Sequence, residues 1–441
     1  MNAETPPRSI WLPDWSGAPY WHEDAPPEEA TTASPPASVD VLIVGSGYTG
    51  LNAAIETAGG GRDTLVLDKD APGFGCSTRN GGQIGHSIKP DLETLTRRHG
   101  AARADAIMGE SRTALDWIEE RIDTLGIDCD FSRVGRFHAA HSADSYEALA
   151  RGAERLTKAR GAEVEVVPRA EQRRELGTDA YHGGVVYPRD AGLHPAKYHL
   201  GLLAAARAAG ARVIGHCAVT GLERTEGGYS VATEQGTVTA REVIVATNGY
   251  TGPVTPWLRR RVIPIGSYII ATEELPAELM DRLFPTDRVI SDTRKVVYYY
   301  RPSPDRRRVL FGGRVSASET DPAISGPRLH EDMCALFPEL RDTRISHSWL
   351  GHVAYTFDEL MHVGQRDGVH YAMGYCGTGV SMASYLGMRM GQKVLGAPEG
   401  RTAFDDLPFP TRPFYTGNPW FLPPMVAWYR WRDRMQQNRK A

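Results

Sequence analysis

The chain has 441 residues, 50 basic and 54 acidic, for a formal net charge of −4, with 41% hydrophobic and 24% charged positions. This is an ordinary globular composition, long enough for two or three domains. It lacks the basic excess of a nucleic-acid protein, and no apolar run approaches the roughly 18 residues that span a bilayer. Residues 1–38 contain no apolar core of a signal peptide. The five cysteines are scattered with no Cys-x-x-Cys pair, which excludes a zinc knuckle, argues against a disulfide framework and favours a cytoplasmic protein without a metal site. Glycine is the one deviation, 46 residues, or about one in ten against a usual ~7%.

Residues 1–38 mix prolines with Trp11, Trp15, Tyr20 and Trp21. Aromatics this dense are costly to leave in water, so an ordered arm lying on the body is expected. A buried-strand run, Val39–Val44, then meets glycines, an alanine-rich helix (Leu51–Ala58) and a second strand, Thr64–Leu67, ending at Asp68. This order is a βαβ unit. Helical periodicity recurs over Arg103–Leu125, Ser145–Ala159 and Tyr198–Ala209, the last stopping at Gly210 before a strand, Ala211–Ile214. Gly228–Thr233 and Gly236–Ala240 suggest a hairpin, and Arg241–Thr247 a separate buried strand. Over Val262–Thr272, Lys295–Tyr300 and Arg308–Phe311 the period becomes two, which favours antiparallel pairing with one face free for a ligand. The first pattern returns in a strand, His370–Tyr375, a glycine loop and a helix, Val380–Leu395. Asn418–Arg434 interleaves aromatics with arginines, as a partner-docking or membrane-surface helix would. Pro423 and Pro424 leave room for only a short helix, so a tail packed on the body is expected.

The fold class expected is therefore α/β plus β. A discontinuous Rossmann-like nucleotide-binding domain (residues 39–100, 160–255 and 360–400) is interleaved with an antiparallel-sheet substrate domain (101–159 and 256–359). An N-terminal arm, 1–38, and a C-terminal tail, 401–441, flank them.

The first chemical motif is Gly45-Ser46-Gly47-Tyr48-Thr49-Gly50. Gly45 permits the tight strand-to-helix turn, Gly47 lets backbone approach a pyrophosphate at the positive helix end, and Gly50 lets helix pack on strand. Asp68, ending the second strand, suits a ribose diol. The motif alone does not separate NAD from FAD. Beyond Asp68 the chain enters a polar glycine loop, Gly73 to Gln83, instead of another βαβ repeat.

Four motifs carry a family likeness: GSGYTG with Asp68, the run Ser77-Thr78-Arg79-Asn80-Gly81-Gly82-Gln83, VIVATNG (Val243–Gly249) and GYCGTGVSMAS (Gly374–Ser384). Together they resemble the FAD-dependent D-amino-acid oxidase and sarcosine oxidase superfamily, whose cofactor domain is of the glutathione-reductase type. The Arg-Asn-Gly-Gly-Gln run resembles its gamma-glutamylputrescine oxidase-like branch. The likeness spans about Val39 to Leu395 and implies FAD as cofactor. It places the glycine turn, Asp68 and Lys69 along the adenosine diphosphate, Val219 at the adenine, and Ala246, Thr247 and Asn248 close to the diphosphate. Ser77 to Gln83 would wrap the cofactor toward its ring, and Gly374, Gly377, Thr378, Gly379 and Val380 would meet the flavin edge. There a helix N-terminus would face charge collecting in the reduced ring. The loop Ser77-Thr78-Arg79 lacks the histidine that tethers flavin in related dehydrogenases, so noncovalent FAD is expected, with Cys76 and Cys376 as packing residues.

The resemblance implies an amine oxidoreductase acting on a small-molecule primary or secondary amine. Hydride passes to flavin N5, the imine hydrolyses to an aldehyde or keto acid, and O2 reoxidises the flavin to give H2O2. The stretch Gly379-Val380-Ser381 lacks the base that grips a sarcosine carboxylate, which favours a longer amine. Period-two alternation puts Tyr298 and Tyr300 on one strand face and Tyr299 on the other. The candidates for the substrate cavity are Tyr268, Tyr298, Tyr300, Arg301 and His352, with Arg314 and His86 beside them. Val309–Gly313 carries no lysine to activate oxygen, and Lys295 is its substitute one strand earlier. Two alternatives therefore stay open: a dehydrogenase passing electrons to a quinone or carrier protein, and a flavin-bearing non-catalytic subunit. Nothing in the sequence speaks to oligomeric state.

Overall fold

A computed structural model describes residues 9–29, 33–160, 163–314 and 320–438. The parts of the expected arm at 1–8 and 30–32, and of the tail at 439–441, lie outside the described residues. Among the described residues two large sheets organise the fold. In the first, strands Ser38–Val44, Thr64–Leu67 and Arg212–Ile214 run parallel, and Gly236–Val245 and Val369–Met373 extend the parallel set on the other side. These short runs of Val, Ile and Leu are buried on both faces, as parallel strands covered by helices must be. The helices Tyr48–Gly59, Ala101–Leu125, Pro195–Ala208 and Gly379–Val394 share one core with them.

The second sheet has nine strands, in the order Trp11–Ser16, Ile345–Tyr355, Ile263–Thr272, Val309–Gly313, Tyr298–Pro302, Val289–Asp292, Arg136–Ala139, Gly183–Tyr187 and Glu165–Pro168. One face packs on the helix Pro322–Leu336 through Tyr268, Tyr300, Phe311, Leu329 and Met333. The other face is turned toward the parallel domain.

Several boundaries differ from the sequence expectation. Residues 183–187 and 165–168, expected in the cofactor half, lie in the nine-stranded sheet: 183–187 pairs with Arg136–Ala139, and 165–168 pairs with 183–187 as the edge strand. Ala101–Leu125, expected in the cap, buries Ile107, Leu115 and Ile118 in the cofactor-side core. The expected break at Ala240–Arg241 is absent. One strand, Gly236–Val245, spans it, hairpinned at its start and parallel at its end. The second of the three period-two segments begins at Tyr298, not at Lys295, because Thr293 to Val297 turn around Asp292, whose carboxylate accepts the Arg294 and Tyr298 N–H groups.

The described parts of both terminal stretches belong to the body. Trp11–Ser16 pairs in parallel with Ile345–Tyr355, and Trp21 is fully buried. At the other end Leu422–Asn438 is a 17-residue helix rather than a short one. Its two prolines occupy the first turn, where a missing N–H costs no helical hydrogen bond.

Candidate active site

The site begins where Ser38–Val44 ends. Gly45 turns the chain at φ +103°, and a Cβ at Gly50 would stand 1.9 Å from the Gly45 carbonyl oxygen, so helix and turn close only with glycine there. The Tyr48 N–H at the helix start donates to Ser77 Oγ at 3.0 Å. Asp68 Oδ2 accepts from both the N–H and the hydroxyl of Ser46, at 2.8 and 2.6 Å. Ser46 Oγ in turn accepts the Gly73 N–H. The end of the second strand therefore locks the glycine turn and the Gly73–Gln83 loop together.

That loop is held by short backbone turns, with the Thr78, Arg79 and Asn80 N–H groups bonded to Gly75 and Cys76 carbonyls, and by side chains that bond its carbonyls. Asn80 Nδ2 donates to the carbonyls of Cys76 and Ser77, and its Oδ1 accepts the Gly82 N–H. The indoles of Trp349 and Trp21 donate to the carbonyls of Arg79 and Asn80, at 2.9 and 2.8 Å. Gln83 Nε2 reaches across to the carbonyls of Ile290 and Tyr300. On the third side Asn248 Oδ1 accepts the Gly374 N–H, and Thr378 Oγ1 donates to the Ser87 carbonyl, fixing the start of the Gly379–Val394 helix.

These pieces surround a cavity of about 1190 Å3. Its wall includes Gly45, Gly47, Tyr48, Thr49, Asp68, Lys69, Ser77, Arg79, Asn80, Gly81, Gln83, Val219, Ala246, Thr247, Asn248, Gly377, Thr378, Gly379 and Val380. Gly50, Thr78, Gly82 and Gly374 stand behind the wall and shape its turns. Besides Asp68 and Asp70, the wall holds glycine backbone from the starts of two helices, Tyr48–Gly59 and Gly379–Val394. That is the donor set a dinucleotide diphosphate and a flavin ring require.

Beyond the loop the cavity is lined by residues of the nine-stranded sheet, among them Arg136, His138, Ser267, Ser291 and Tyr299. The residues here differ from those the sequence favoured. Tyr299, not Tyr298 or Tyr300, lies on the wall, its hydroxyl 2.7 Å from Ser267 Oγ. Its ring fits because Gly81 and Gly312 face it, where a Cβ would come within 3.1 and 2.3 Å. Tyr300 turns to the helix side, stacks on Phe311 and bonds Tyr181. Tyr298 packs on the same side beneath the Arg294 guanidinium. Tyr268 is fully buried there and accepts the Thr320 N–H. The alternation was right and the assignment of faces reversed, because the helix Pro322–Leu336 gives the Tyr298/Tyr300 side its core.

Arg301 shares the Tyr299 face but sits one step further along, bonding the Gly82 and Leu193 carbonyls, with its guanidinium pushed down to about 10 by burial. It braces the loop from behind. His352 packs edge-on against Tyr250, off the wall. His86 Nδ1 lies 2.8 Å from Asp190, which also takes Arg136 Nε at 2.7 Å. Burial pushes the Asp190 carboxyl up, but Arg136 and His86 outweigh it and hold it below the usual range.

The sequence missed Lys89, Arg136, His138, Ser291 and Tyr355 on the wall, with Met425, Val426 and Tyr429 from the C-terminal helix. Alternation in Arg136–Ala139 was the available signal: Arg136 and His138 face the cavity while Phe137 and Ala139 are buried. His138 bonds Ser291 at 2.8 Å, and its imidazole is pushed down to about 3 by burial, then by Arg136 and Lys89. Basic groups dominate this chamber. Lys89, Arg136, Arg294, Lys295 and Arg314 line it, against Asp292, which is paired to Arg294, and the exposed Glu359.

The chain and its fold have counterparts among known proteins. The sequence profile of the FAD dependent oxidoreductase family matches residues 40–393. The gamma-glutamylputrescine oxidoreductase of Escherichia coli (strain K12) is 32% identical over 90% of this chain and 93% of its own. A probable oxidoreductase OrdL of Rhizobium meliloti (strain 1021) is also 32% identical, over 94% and 97%. Among solved structures, the glycine oxidase from Geobacillus kaustophilus superposes with a TM-score of 0.70 at 19% identity, covering 86% of this chain and 99% of its own. The L-proline dehydrogenase from P. horikoshii gives 0.68 at 16% identity, covering 84% and 96%.

Proposed function

This chain belongs to the FAD-dependent oxidoreductase family, and from that premise we propose that it oxidises the C–N bond of an amine whose far end carries a carboxylate. The products are an aldehyde or keto acid, the released amine or ammonia, and H2O2 from O2. The observation that carries the reading is the continuity of the cavity, from the Asp68 end past the two helix N-termini into a chamber lined by Tyr299 and five basic side chains. The Escherichia coli relative is named for a γ-glutamylated diamine, a substrate of this class.

When bound, FAD supplies the two-electron redox chemistry. Gly45 to Thr49 and Asp68 would hold its diphosphate and ribose, and the N-terminus of Gly379–Val394 the electron-rich ring edge. Attachment is noncovalent: Cys76, the cysteine on the wall, has its thiol pushed up to about 11, first by burial, and stays protonated.

The chain's own residues prepare the amine. Lys295 and Arg314 attract the carboxylate and set the direction in which substrate enters. Positive charge and desolvation both disfavour an ammonium ion in the chamber, so the amine sheds its proton on binding. His138, neutral down to about pH 3, bonds substrate without taking that proton. Tyr299 and Ser267 fix the reacting end by hydrogen bonding.

Anaerobic mixing with ω-amino acids and γ-glutamyl amines tests the reading. Bleaching of the flavin band is expected, followed by oxygen uptake on aeration. If no amine bleaches the band, the amine reading fails. Bleaching without oxygen uptake would replace O2 with another electron carrier.

A further inference from the structure

Five large apolar side chains near the C-terminus are exposed: Phe414, Trp420, Trp428, Trp431 and Met435, at 92, 65, 51, 57 and 46%. Trp428, Trp431 and Met435 stand at i, i+3 and i+7 on the helix Leu422–Asn438, and so form one outward stripe. The opposite face is committed elsewhere. Val426 and Tyr429 line the cavity, and the buried Asp433 carboxylate accepts the N–H groups of Lys295 and Val296.

Charge on this stretch is one-sided. Between Leu407 and Gln436 the sequence has four arginines, Arg412, Arg430, Arg432 and Arg434, and a single acid, Asp433. Asp433 faces inward and so cancels nothing at the surface. A chain of net charge −4 thus carries a local basic excess where its apolar side chains are most exposed. Arg412 and Arg434 are exposed, and the Arg432 guanidinium lies 5.4 Å over the Trp428 ring, keeping charge beside the stripe.

We propose that this face docks on an anionic lipid surface. Tryptophan rings suit the headgroup boundary, since they are apolar bodies with a polar edge, and arginines beside them meet lipid phosphates. Pairing with a second copy would set arginine-bearing stripes against each other. Among the described residues no helix is long and apolar enough to cross a membrane, so the attachment is peripheral. The inner face of the helix keeps its place on the cavity wall when the outer face is docked.

The test is co-sedimentation of the full-length FAD-loaded protein with vesicles of phosphatidylcholine alone and of phosphatidylcholine with phosphatidylglycerol. Pelleting is expected with the second only, and is expected to fall as salt rises. R434Q should weaken partitioning roughly fivefold, the weight of one basic residue at an anionic surface. W428S/W431S should weaken it at least about tenfold. An unchanged flavin spectrum and melting temperature show that each variant is folded. If the tryptophan double variant does not fold, the exposed R434Q still decides. Equal pelleting with both vesicles, or none with either, overturns the proposal. A concentration-dependent dimer that W428S/W431S abolishes, without vesicle binding, would give the face to a second copy instead.

Discussion

Tyr299 and Tyr300 are sequence neighbours on opposite faces of one strand, and substituting each should have a different consequence. The Tyr300 hydroxyl bonds Tyr181 inside the core, so Tyr300→Phe is expected to cost about 1 kcal/mol of stability and leave kcat/KM unchanged. Tyr299→Phe keeps the ring but removes the bond to Ser267 at the cavity wall. It should leave the melting temperature nearly unchanged and lower kcat/KM about tenfold. Calorimetry and steady-state kinetics on both variants check the pair, and a reversed pattern would return catalysis to the Tyr300 face. The basic lining makes a second separable case. Lys295→Met should raise KM about tenfold for an amine bearing a carboxylate and leave an uncharged amine of similar length unaffected, because the lost ammonium meets only the carboxylate. Equal effects on both amines would mean that Lys295 serves the reacting end.

At the scale of elements, the N-terminal arm is the least expected part of the site. Trp21 reaches the Asn80 carbonyl, Tyr20 stands edge-on to His347, and Trp21 edge-on to His194. His22, His194 and His347 are all pushed down to about 4, in each case first by burial. A histidine whose folded value is lowered binds its proton first in the unfolded chain. Stability is therefore whole above pH 6.5, the unfolded value, and is lost as pH falls from there toward 4. The melting temperature should drop steeply over that window, and His194→Gln with His347→Gln should flatten the slope. An unchanged slope would place the acid sensitivity elsewhere. The arm's contact with the loop was not legible in the sequence. Tryptophan density predicts that Trp11 to Trp21 pack on the body, but the carbonyl that Trp21 meets depends on tertiary placement 59 residues away. The βαβ unit was legible because Val39–Val44, the glycine turn and Thr64–Leu67 are local and each obeys its own period. Sheet membership of 165–187 was not, since Gly183–Tyr187 joins the sheet only through Arg136–Ala139, and Glu165–Pro168 only through Gly183–Tyr187.

For the whole molecule, the C-terminal helix ties the cavity to the outside. Asp433 holds the backbone of Lys295 and Val296, while Val426 and Tyr429 complete the wall on the side of the chamber where Arg314 stands. The Arg430 guanidinium adds a bond to the Arg314 carbonyl. None of these contacts touches the adenosine end of the cavity, where Asp68 and the glycine turn are locked by Ser46 and Ser77. Loosening the helix should therefore open the chamber without releasing the cofactor. Asp433→Ala removes both acceptor bonds to the Lys295–Val296 turn and leaves buried N–H groups unpaired, at a cost of about 2 kcal/mol. The expected outcome is a KM for the carboxylate-bearing amine raised about tenfold, because Lys295 loses its fixed position, with flavin content and the flavin absorption spectrum unchanged. Faster proteolytic cleavage within 418–438 should accompany it. Loss of flavin in Asp433→Ala, with KM unmoved in the fraction that keeps it, would mean that the helix supports the cofactor rather than the chamber.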